Sequence, residues 1–412
     1  MQPNYRATRH ACYVGSMTQA ICNNLTPLLF IIFQSAYGLS YQRLGALILI
    51  NFVVQLTVDL LCARYADKIG YRVPLVVAHA ASALGLVLLA ALPHWLADPY
   101  AGLCVAVVVY AFGGGLLEVL VSPVVDSLPK PQAEKAASMA LLHSFYCWGQ
   151  VAVVLLSTLL LRAIGGALWW VLPIVWAAVP LANMVAFLRV PFVPMIPEHQ
   201  RTSLRELLKK PLFLAFLTLM VCAGAAELVV SQWASLFAEQ GLGLSKVWGD
   251  LLGPCLFGVM MGVGRVIYGV WGARMDLRRF LLVTGLLCVA CYLVLCLAPF
   301  PGVSLAACAV TGFAVSLFWP GTCSLSSARF PMGGAAMFAL LAMFGDIGCS
   351  AGPWLAGLVA DQAGTGFFGW VNEALFGGES ALKTGILVAT VFPLVLVVTV
   401  CAAGRGMKET KA

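Results

Sequence analysis

Three acidic residues lie deep inside apolar stretches of this sequence, where an ionisable side chain is least expected. They are Glu118, Glu227 and Asp346. A carboxyl group in such a position normally faces a cavity or a charged partner, and it is suited to bind and release a proton in each working cycle. We therefore predict proton coupling at these three residues. The alternative is a permanent pair with Arg265, which also lies within an apolar stretch, or with a backbone donor.

A second group of polar residues could hold a solute by hydrogen bonds. Asn51, Gln55 and Asp59 recur every four residues and so form one stripe on a helix face. This stripe faces either a cavity or a polar seam between helices. His143 could instead relay protons, and tryptophans could anchor the ends of membrane spans. The predicted substrate-binding residues are Asn23, Asn24, Asn51, Gln55, His143, Gln150, Trp148, Trp233 and Trp319.

The elements that position these residues are membrane-spanning helices. The chain has 412 residues, of which 61% are hydrophobic and 10% charged, with mean hydropathy +0.95. A hydrocarbon core about 30 Å thick needs roughly 20 apolar residues per helix, so the length suits twelve spans. This composition excludes a nucleic-acid module, a secreted disulfide scaffold and an ordinary soluble enzyme. We predict spans at residues 10–37, 42–66, 73–93, 99–125, 137–161, 167–190, 211–238, 248–273, 279–298, 303–327, 334–360 and 382–404.

Positive charge alternates between successive connections and predicts the topology. The side that holds both termini collects nearly all of the 24 Lys and Arg residues, and it is therefore cytoplasmic. The exceptions are Arg265 within a span and Arg43, Arg162, Lys246 and Lys383 on the other side. The longest basic connection is either a plain linker or a short surface helix, since Ser203 and Glu206 have capping-box spacing. We predict an N-terminal six-helix bundle (1–190), a cytoplasmic linker (191–210) and a C-terminal six-helix bundle (211–412).

Signals of an enzyme or a metal site are poor in the sequence. There is no Walker lysine motif and no HExxH. The 14 cysteines are scattered through apolar runs, where Cys behaves as a small hydrophobe. We therefore expect no enzymatic activity, no cofactor and no metal. Without a nucleotide-binding loop, uphill transport would draw on an ion gradient, and we expect the proton to be the coupling ion.

The connection between the second and third spans resembles a known loop motif. Its sequence ARYADKIGYR is similar to the GxLADRxGRR loop of the major facilitator superfamily, with Ala63 at the first Gly. The resemblance implies the fold of that superfamily, which is all-α with twelve transmembrane helices in two six-helix bundles. It also implies a cytoplasmic gate. The stretch GVWGARMDLRR after the eighth span is a partial second copy, with Ala273 at the acidic position. The predicted gate residues are Asp67, Lys68, Gly70, Arg72, Asp126 and Arg274.

A narrower resemblance runs through both halves of the chain. The segments CNNLTPLLFIIFQ, GGGLLEVLVSPVVDSLP, LLHSFYCWG, GRVIYGVWGARM and GDIGCSAGPWLAGLVADQAG are similar to the fucose/proton symporter family. In that family the Glu of a GxxE motif in the fourth span is a protonation site, which corresponds to Glu118. The family's acidic residue in the first span has no counterpart here, where Thr26 and Pro27 follow the paired Asn.

These observations predict a secondary active transporter. We expect it to take up a small polar solute, a sugar or sugar derivative, by proton symport with alternating access. We expect a monomer in the plasma membrane, the inner membrane of a bacterium, with the lipid bilayer and the solute as partners and no nucleic acid. The alternatives are a proton-driven efflux antiporter for drugs or metabolites, a receptor that binds without translocating, and an intramembrane enzyme.

Overall fold

The chain is helical throughout the part that the computed structural model describes. The described residues are 5–39, 41–193, 204–242, 248, 251–378 and 380–404, and they contain no β-strand. Within these ranges, ten helices are long and apolar enough to cross a membrane, and Ala46–Cys62 is a shorter apolar helix in the second predicted span. The prediction of an all-α membrane protein is confirmed, and the helices are consistent with twelve spans.

The helices follow the predicted spans in order. The first six spans contain α1 (Arg6–Leu28), α2 (Phe30–Tyr37), α3 (Tyr41–Ile69), α4 (Arg72–Trp95), α5 (Pro99–Ser127), α6 (Gln132–Ile164) and α7 (Val171–Arg189). A short helix, α8 (Leu204–Leu208), comes next. The remaining helices are α9 (Pro211–Leu242), α10 (Leu256–Trp271), α11 (Leu277–Leu297), α12 (Pro301–Val315), α13 (Phe318–Arg329), α14 (Gly334–Asp361), α15 (Gly366–Phe376), α16 (Ala381–Ala389) and α17 (Val391–Ala402).

In the part of the chain that the structure describes, three of the predicted spans consist of two consecutive α-helices. Proline disrupts the interior of a helix because it lacks an N–H and clashes with the preceding turn, whereas the first turn tolerates it. Accordingly α1 ends one residue after Pro27, while Pro320 and Pro393 lie in the first turns of α13 and α17. The breaks fall at Leu29, at residues 316–317 and at Thr390.

Tertiary contacts divide the chain into two compact units. The first unit is Met1–Lys130, Phe145–Leu204 and Met332–Ala342, and the second is Pro131–Ser144, Arg205–Pro331 and Met343–Ala412. The first part of α6 therefore groups with the second unit and the rest of α6 with the first. The bundle boundaries given by the sequence stay a prediction.

Glycines allow close helix packing inside each unit. In the first unit, a Cβ added at Gly85 of α4 would lie only 2.6 Å from the Cβ of Tyr110 on α5. In the second unit, a Cβ added at Gly348 of α14 would lie 2.8 Å from the carbonyl carbon of Val221 on α9. Both distances are shorter than side chains allow, so these helix pairs approach at backbone distance. Such packing is common between membrane helices because small residues bring the backbones together.

Candidate functional site

Amide side chains from two helices meet at one point in the first unit. Gln55 Nε2 donates to Asn23 Oδ1 at 2.7 Å, and Asn51 Nδ2 donates to the same oxygen at 3.4 Å. Asn23 Nδ2 lies 3.5 Å from the hydroxyl of Tyr146 on α6, at the outer limit for a hydrogen bond. We call Asn23, Asn51, Gln55 and Tyr146 the amide cluster. It brings together three of the residues predicted to bind substrate.

The amide cluster is only partly saturated by its own hydrogen bonds. Asn51 and Gln55 lie one turn apart on α3 and both are buried, whereas Asn23 and Tyr146 are half-buried. Asn51 Oδ1 is buried and accepts no hydrogen bond from any residue that the structure describes. A buried acceptor without a donor is costly. The cluster therefore offers an acceptor that a hydroxyl or amide donor of a solute could use.

Glu118 lies on the face of α5 that packs against the amide cluster. A Cβ added at Gly114 would lie 3.8 Å from Gln55 Nε2 and 4.0 Å from Asn23 Oδ1. Glu118 follows four residues later, which places it on the same helix face one turn further along. Its side chain is half-buried. The lack of side chains at Gly114 and Gly115 thus lets α3 approach the turn that precedes the carboxyl group, and Gly113 gives the same room to α4.

A second polar cluster surrounds Arg265 of α10 in the second unit. Its Nη2 lies 3.3 Å from Glu227 Oε2 on α9, forming an ion pair with both side chains largely buried. Its Nη1 donates to the carbonyl oxygen of His143 at 2.9 Å, and its Nε donates to that of Ser316 at 2.8 Å. We call these four residues the arginine cluster. The structure thus pairs Glu227 with Arg265, which was the alternative to proton coupling at this carboxyl.

The position of Ser316 explains why a backbone carbonyl is available to the arginine. Ser316 lies in the break between α12 and α13, and carbonyls at the end of a helix have no partner within that helix. Gly264 makes room for this approach, because a Cβ there would lie 2.7 Å from the Cβ of Ser316. Arg265 therefore connects α10 with α9, with the first part of α6 and with the interrupted tenth span.

Asp346 and Trp319 lie near each other in the second unit. Asp346 is buried on α14, and the preceding residue, Gly345, packs directly against the ring of Trp319 on α13. A Cβ at Gly345 would overlap that ring. The third predicted carboxyl group and one of the predicted tryptophans therefore lie on packed helices.

Asn24, Trp148 and Gln150, which were also predicted to bind substrate, belong to neither cluster. Asn24 Nδ2 bonds to the carbonyl of Ala20 in its own helix. His143 contributes its backbone carbonyl to the arginine cluster, and its side chain is half-buried. Trp148 and Gln150 are half-buried on α6. The side chain of Trp233 lies outside the described residues.

The predicted gate residues take different positions. The side chains of Asp67 and Lys68 lie outside the described residues. Gly70 has a φ of +82°, a left-handed conformation that favours glycine, in the connection between α3 and α4. Arg72 donates to the carbonyls of Phe187, Leu188 and Val190 at 3.3, 2.5 and 2.9 Å. Arg72 therefore caps the C-terminal end of α7 within the first unit. Asp126 is half-buried near the end of α5, and Arg274 is exposed before α11.

A buried histidine network that was not predicted from the sequence holds the first unit together. His79 Nδ1 lies 2.7 Å from the carbonyl oxygen of Leu75, so it donates there and leaves Nε2 as an acceptor. Asn183 Nδ2 lies 2.8 Å from His79 Nε2 and 2.9 Å from the carbonyl oxygen of Ala11. The signal in the sequence was the presence of His79 and Asn183, each within an apolar run. The network links α4, α7 and α1.

Metal binding finds no support in the described part of the chain. There, no three His, Cys, Asp or Glu side chains converge on a point that could hold an ion. The chemistry that the two clusters offer is hydrogen bonding to a solute and transfer of a proton at a carboxyl group.

Comparison with known proteins places this arrangement among membrane transporters. The family profile described as Major Facilitator Superfamily matches residues 12–353. No curated protein is similar enough in sequence to be matched with this chain. Among solved structures, FucP, a major facilitator transporter in the outward conformation, has a TM-score of 0.80 at 17% identity. That alignment covers 98% of this chain and 100% of FucP.

Two further solved structures have the same fold. The proton:xylose symporter XylE, bound to 6-bromo-6-deoxy-D-glucose, has a TM-score of 0.79 at 13% identity, with 98% of this chain and 96% of XylE covered. The human organic anion transporter MFSD10 has a TM-score of 0.69 at 15% identity, with 96% and 100% covered. A second FucP structure, of the E. coli fucose:proton symporter, has a TM-score of 0.74 at 16% identity, with 98% and 100% covered. At these identities the likeness establishes the fold.

Proposed function

Because the chain belongs to the major facilitator superfamily, we propose that it takes up a small polar solute, a sugar or sugar derivative, by symport with protons. The family makes the protein a multi-pass membrane transporter of small solutes and not an enzyme. The solute, the direction of transport and the coupling ion are parts of the proposal.

The amide cluster is the observation that carries the choice of solute. Its side chains are uncharged and offer both donors and acceptors, which suits a neutral molecule with several hydroxyl groups. Asn51 Oδ1 would accept a hydrogen bond from a hydroxyl group of the solute. A neutral solute also agrees with the arginine cluster, because each of the three nitrogens of Arg265 already donates to a protein oxygen. Trp319 is a further proposed substrate-binding residue, since an aromatic ring suits the apolar face of a sugar.

Glu118 is the carboxyl group that we propose to carry the proton. It lies one turn beyond the part of α5 that faces the amide cluster, so a change in its charge acts on the groups that bind the solute. Coupling requires that protonation and solute binding favour the same conformational state, because a ligand with equal affinity for two states shifts neither. Asp346 and Glu227 are further candidates for the proton-coupling site. At Glu227, binding of a proton would compete with the ion pair to Arg265.

Other parts of the proposal rest on the sequence. We propose a bacterial inner membrane as the location, and the charge bias supports cytoplasmic termini. The residues proposed to gate the cytoplasmic side are Asp67, Lys68, Gly70, Arg72, Asp126 and Arg274. We propose that the protein works as a monomer, with the proton as its coupling ion and with no other cofactor.

The test compares solute exchange with proton movement in proteoliposomes for wild type and Glu118→Gln. A panel of monosaccharides is tested, with common cationic drugs in parallel. We expect one sugar to drive proton entry with the wild type. Glu118→Gln should still exchange that sugar across the membrane, without moving protons. Glu373→Gln, which changes an exposed carboxyl group on α15, is the matched control and should behave as wild type.

Two outcomes would contradict the proposal. If Glu118→Gln moved protons as wild type does, Glu118 would not be the coupling site. If no sugar moved protons and a cationic drug drove counterflow instead, the protein would be an efflux antiporter.

A further inference from the structure

Helix α15 is an element that the two predicted bundles do not require. It lies between α14 and α16, and both of these neighbours belong to apolar helical segments long enough to cross a membrane. The end of α14 and the start of α16 must therefore reach the same edge of the bilayer, since α15, with 11 residues, is too short to cross it. The connection through α15 consequently lies at that edge.

A buried asparagine fixes α15 in its position. Asn372 is 4% exposed, and its Nδ2 donates to the carbonyl oxygens of Ala363 and Gly378, both at 3.2 Å. Its Oδ1 accepts from Thr384 Oγ1 at 3.3 Å. These bonds hold α15 to the segment that precedes it, to the turn that follows it and to α16. The orientation of the helix is thus set by a polar anchor on its inner side.

The opposite face of α15 is apolar and exposed. Phe367 and Trp370 are 70% and 66% exposed, and their rings stack with centroids 6.1 Å apart. At about 100° of rotation per residue, Phe367, Trp370, Val371 and Ala374 fall within an arc of about 100°. We call these four residues the aromatic face. Glu373, also exposed, lies outside this arc.

We propose that α15 lies in the plane of the membrane interface, with the aromatic face inserted at the boundary between headgroups and acyl chains. Aromatic side chains, Trp above all, are enriched at this depth. Trp354, seven residues before the end of α14, is 66% exposed and would belong to the same aromatic belt. α15 contains no Lys or Arg, so its attraction to the bilayer comes from apolar area and not from anionic headgroups.

Spin labels on α15 in the full-length, reconstituted protein test this proposal. Cys401 is exposed, whereas the other cysteines in the described part of the chain are buried or half-buried. Cys401→Ser therefore provides a background with little reactive thiol. Phe367→Cys places a label on the aromatic face, and Glu373→Cys is the matched position beside it. Labelling of Cys401→Ser alone gives the blank. Accessibility to oxygen, which concentrates in the bilayer, is compared with accessibility to a water-soluble nickel chelate.

We expect the ratio of oxygen to nickel accessibility to be several-fold higher at position 367 than at position 373. Equal ratios typical of water at both positions would overturn the proposal. So would exclusion of both reagents at position 367 together with spin–spin coupling between labels, because the face would then be covered by a second copy of the chain. Phe367 is exposed, so its replacement leaves the buried packing of the unit in place.

Discussion

Replacing Glu227 by Gln removes the carboxylate that lies 3.3 Å from Nη2 of Arg265 while preserving the shape of the side chain. The two side chains are only 4% and 14% exposed, so water screens them little. At 3.3 Å and an effective dielectric constant of about 20, the attraction between unit charges is about 5 kcal/mol. Removing one partner of a buried pair costs about 3–5 kcal/mol, because the other charge stays buried. We therefore expect the apparent melting temperature of Glu227→Gln to fall by on the order of 5 °C.

The cysteines of the protein provide the assay for this prediction. Most of its 14 cysteines are buried, so a dye that fluoresces on reaction with thiols reports their exposure during heating. The variants are Glu227→Gln, Arg265→Gln and the double variant. In the double variant neither member of the ion pair carries a charge, and the amide at position 265 can still donate to the carbonyl of Ser316, which Nε of Arg265 contacts in the wild type. We expect it to melt above Glu227→Gln.

A melting temperature of Glu227→Gln equal to that of the wild type would contradict a stabilising ion pair. A double variant whose melting temperature falls by the full sum of the two single losses would contradict it as well, since additive losses mean that the two side chains do not interact.

Two further substitutions test the packing and the amide cluster. Gln55→Leu removes the 2.7 Å bond to Asn23 and should raise the solute concentration for half-maximal uptake about tenfold, because Asn23 Oδ1 loses the shorter of its two hydrogen bonds. Thr57→Val on the exposed side of the same helix should leave uptake unchanged in the same flux assay. Gly348→Ala should lower the melting temperature in the thiol assay, because its Cβ would clash with the backbone of α9, whereas Gly302→Ala, with nothing within 4 Å of its Cβ, should not.

The twelve spans could be predicted because each depends on a long apolar run, which is a strong and local signal. The breaks within spans could not be read in the same way. Pro27 comes at the end of α1, yet Pro123 and Pro353 lie inside the continuous helices α5 and α14. Whether a proline interrupts a membrane helix depends on which neighbouring groups satisfy the freed carbonyl, and the sequence does not give those neighbours.

In the candidate sites, too, features within one helix could be predicted from the sequence, whereas contacts between helices could not. The spacing of Asn51 and Gln55 was enough to predict a shared helix face. Their common partner, Asn23, is on another helix, and its place was set by the packing of both α1 and α3 against α5. Arg265 stood out because a charge in an apolar run is rare. Two of its partners are backbone carbonyls, which every residue possesses, so no pattern of side chains could have indicated them.

The most direct test of proton-coupled uptake is to measure the internal pH of proteoliposomes that start without a pH gradient. An inward gradient of the transported sugar is imposed, and a trapped dye reports the pH. The proposal predicts that the interior becomes acidic as the sugar enters, and that wild type does this while empty liposomes do not. Entry of labelled sugar with no change in pH, or with an interior that becomes alkaline, would contradict symport.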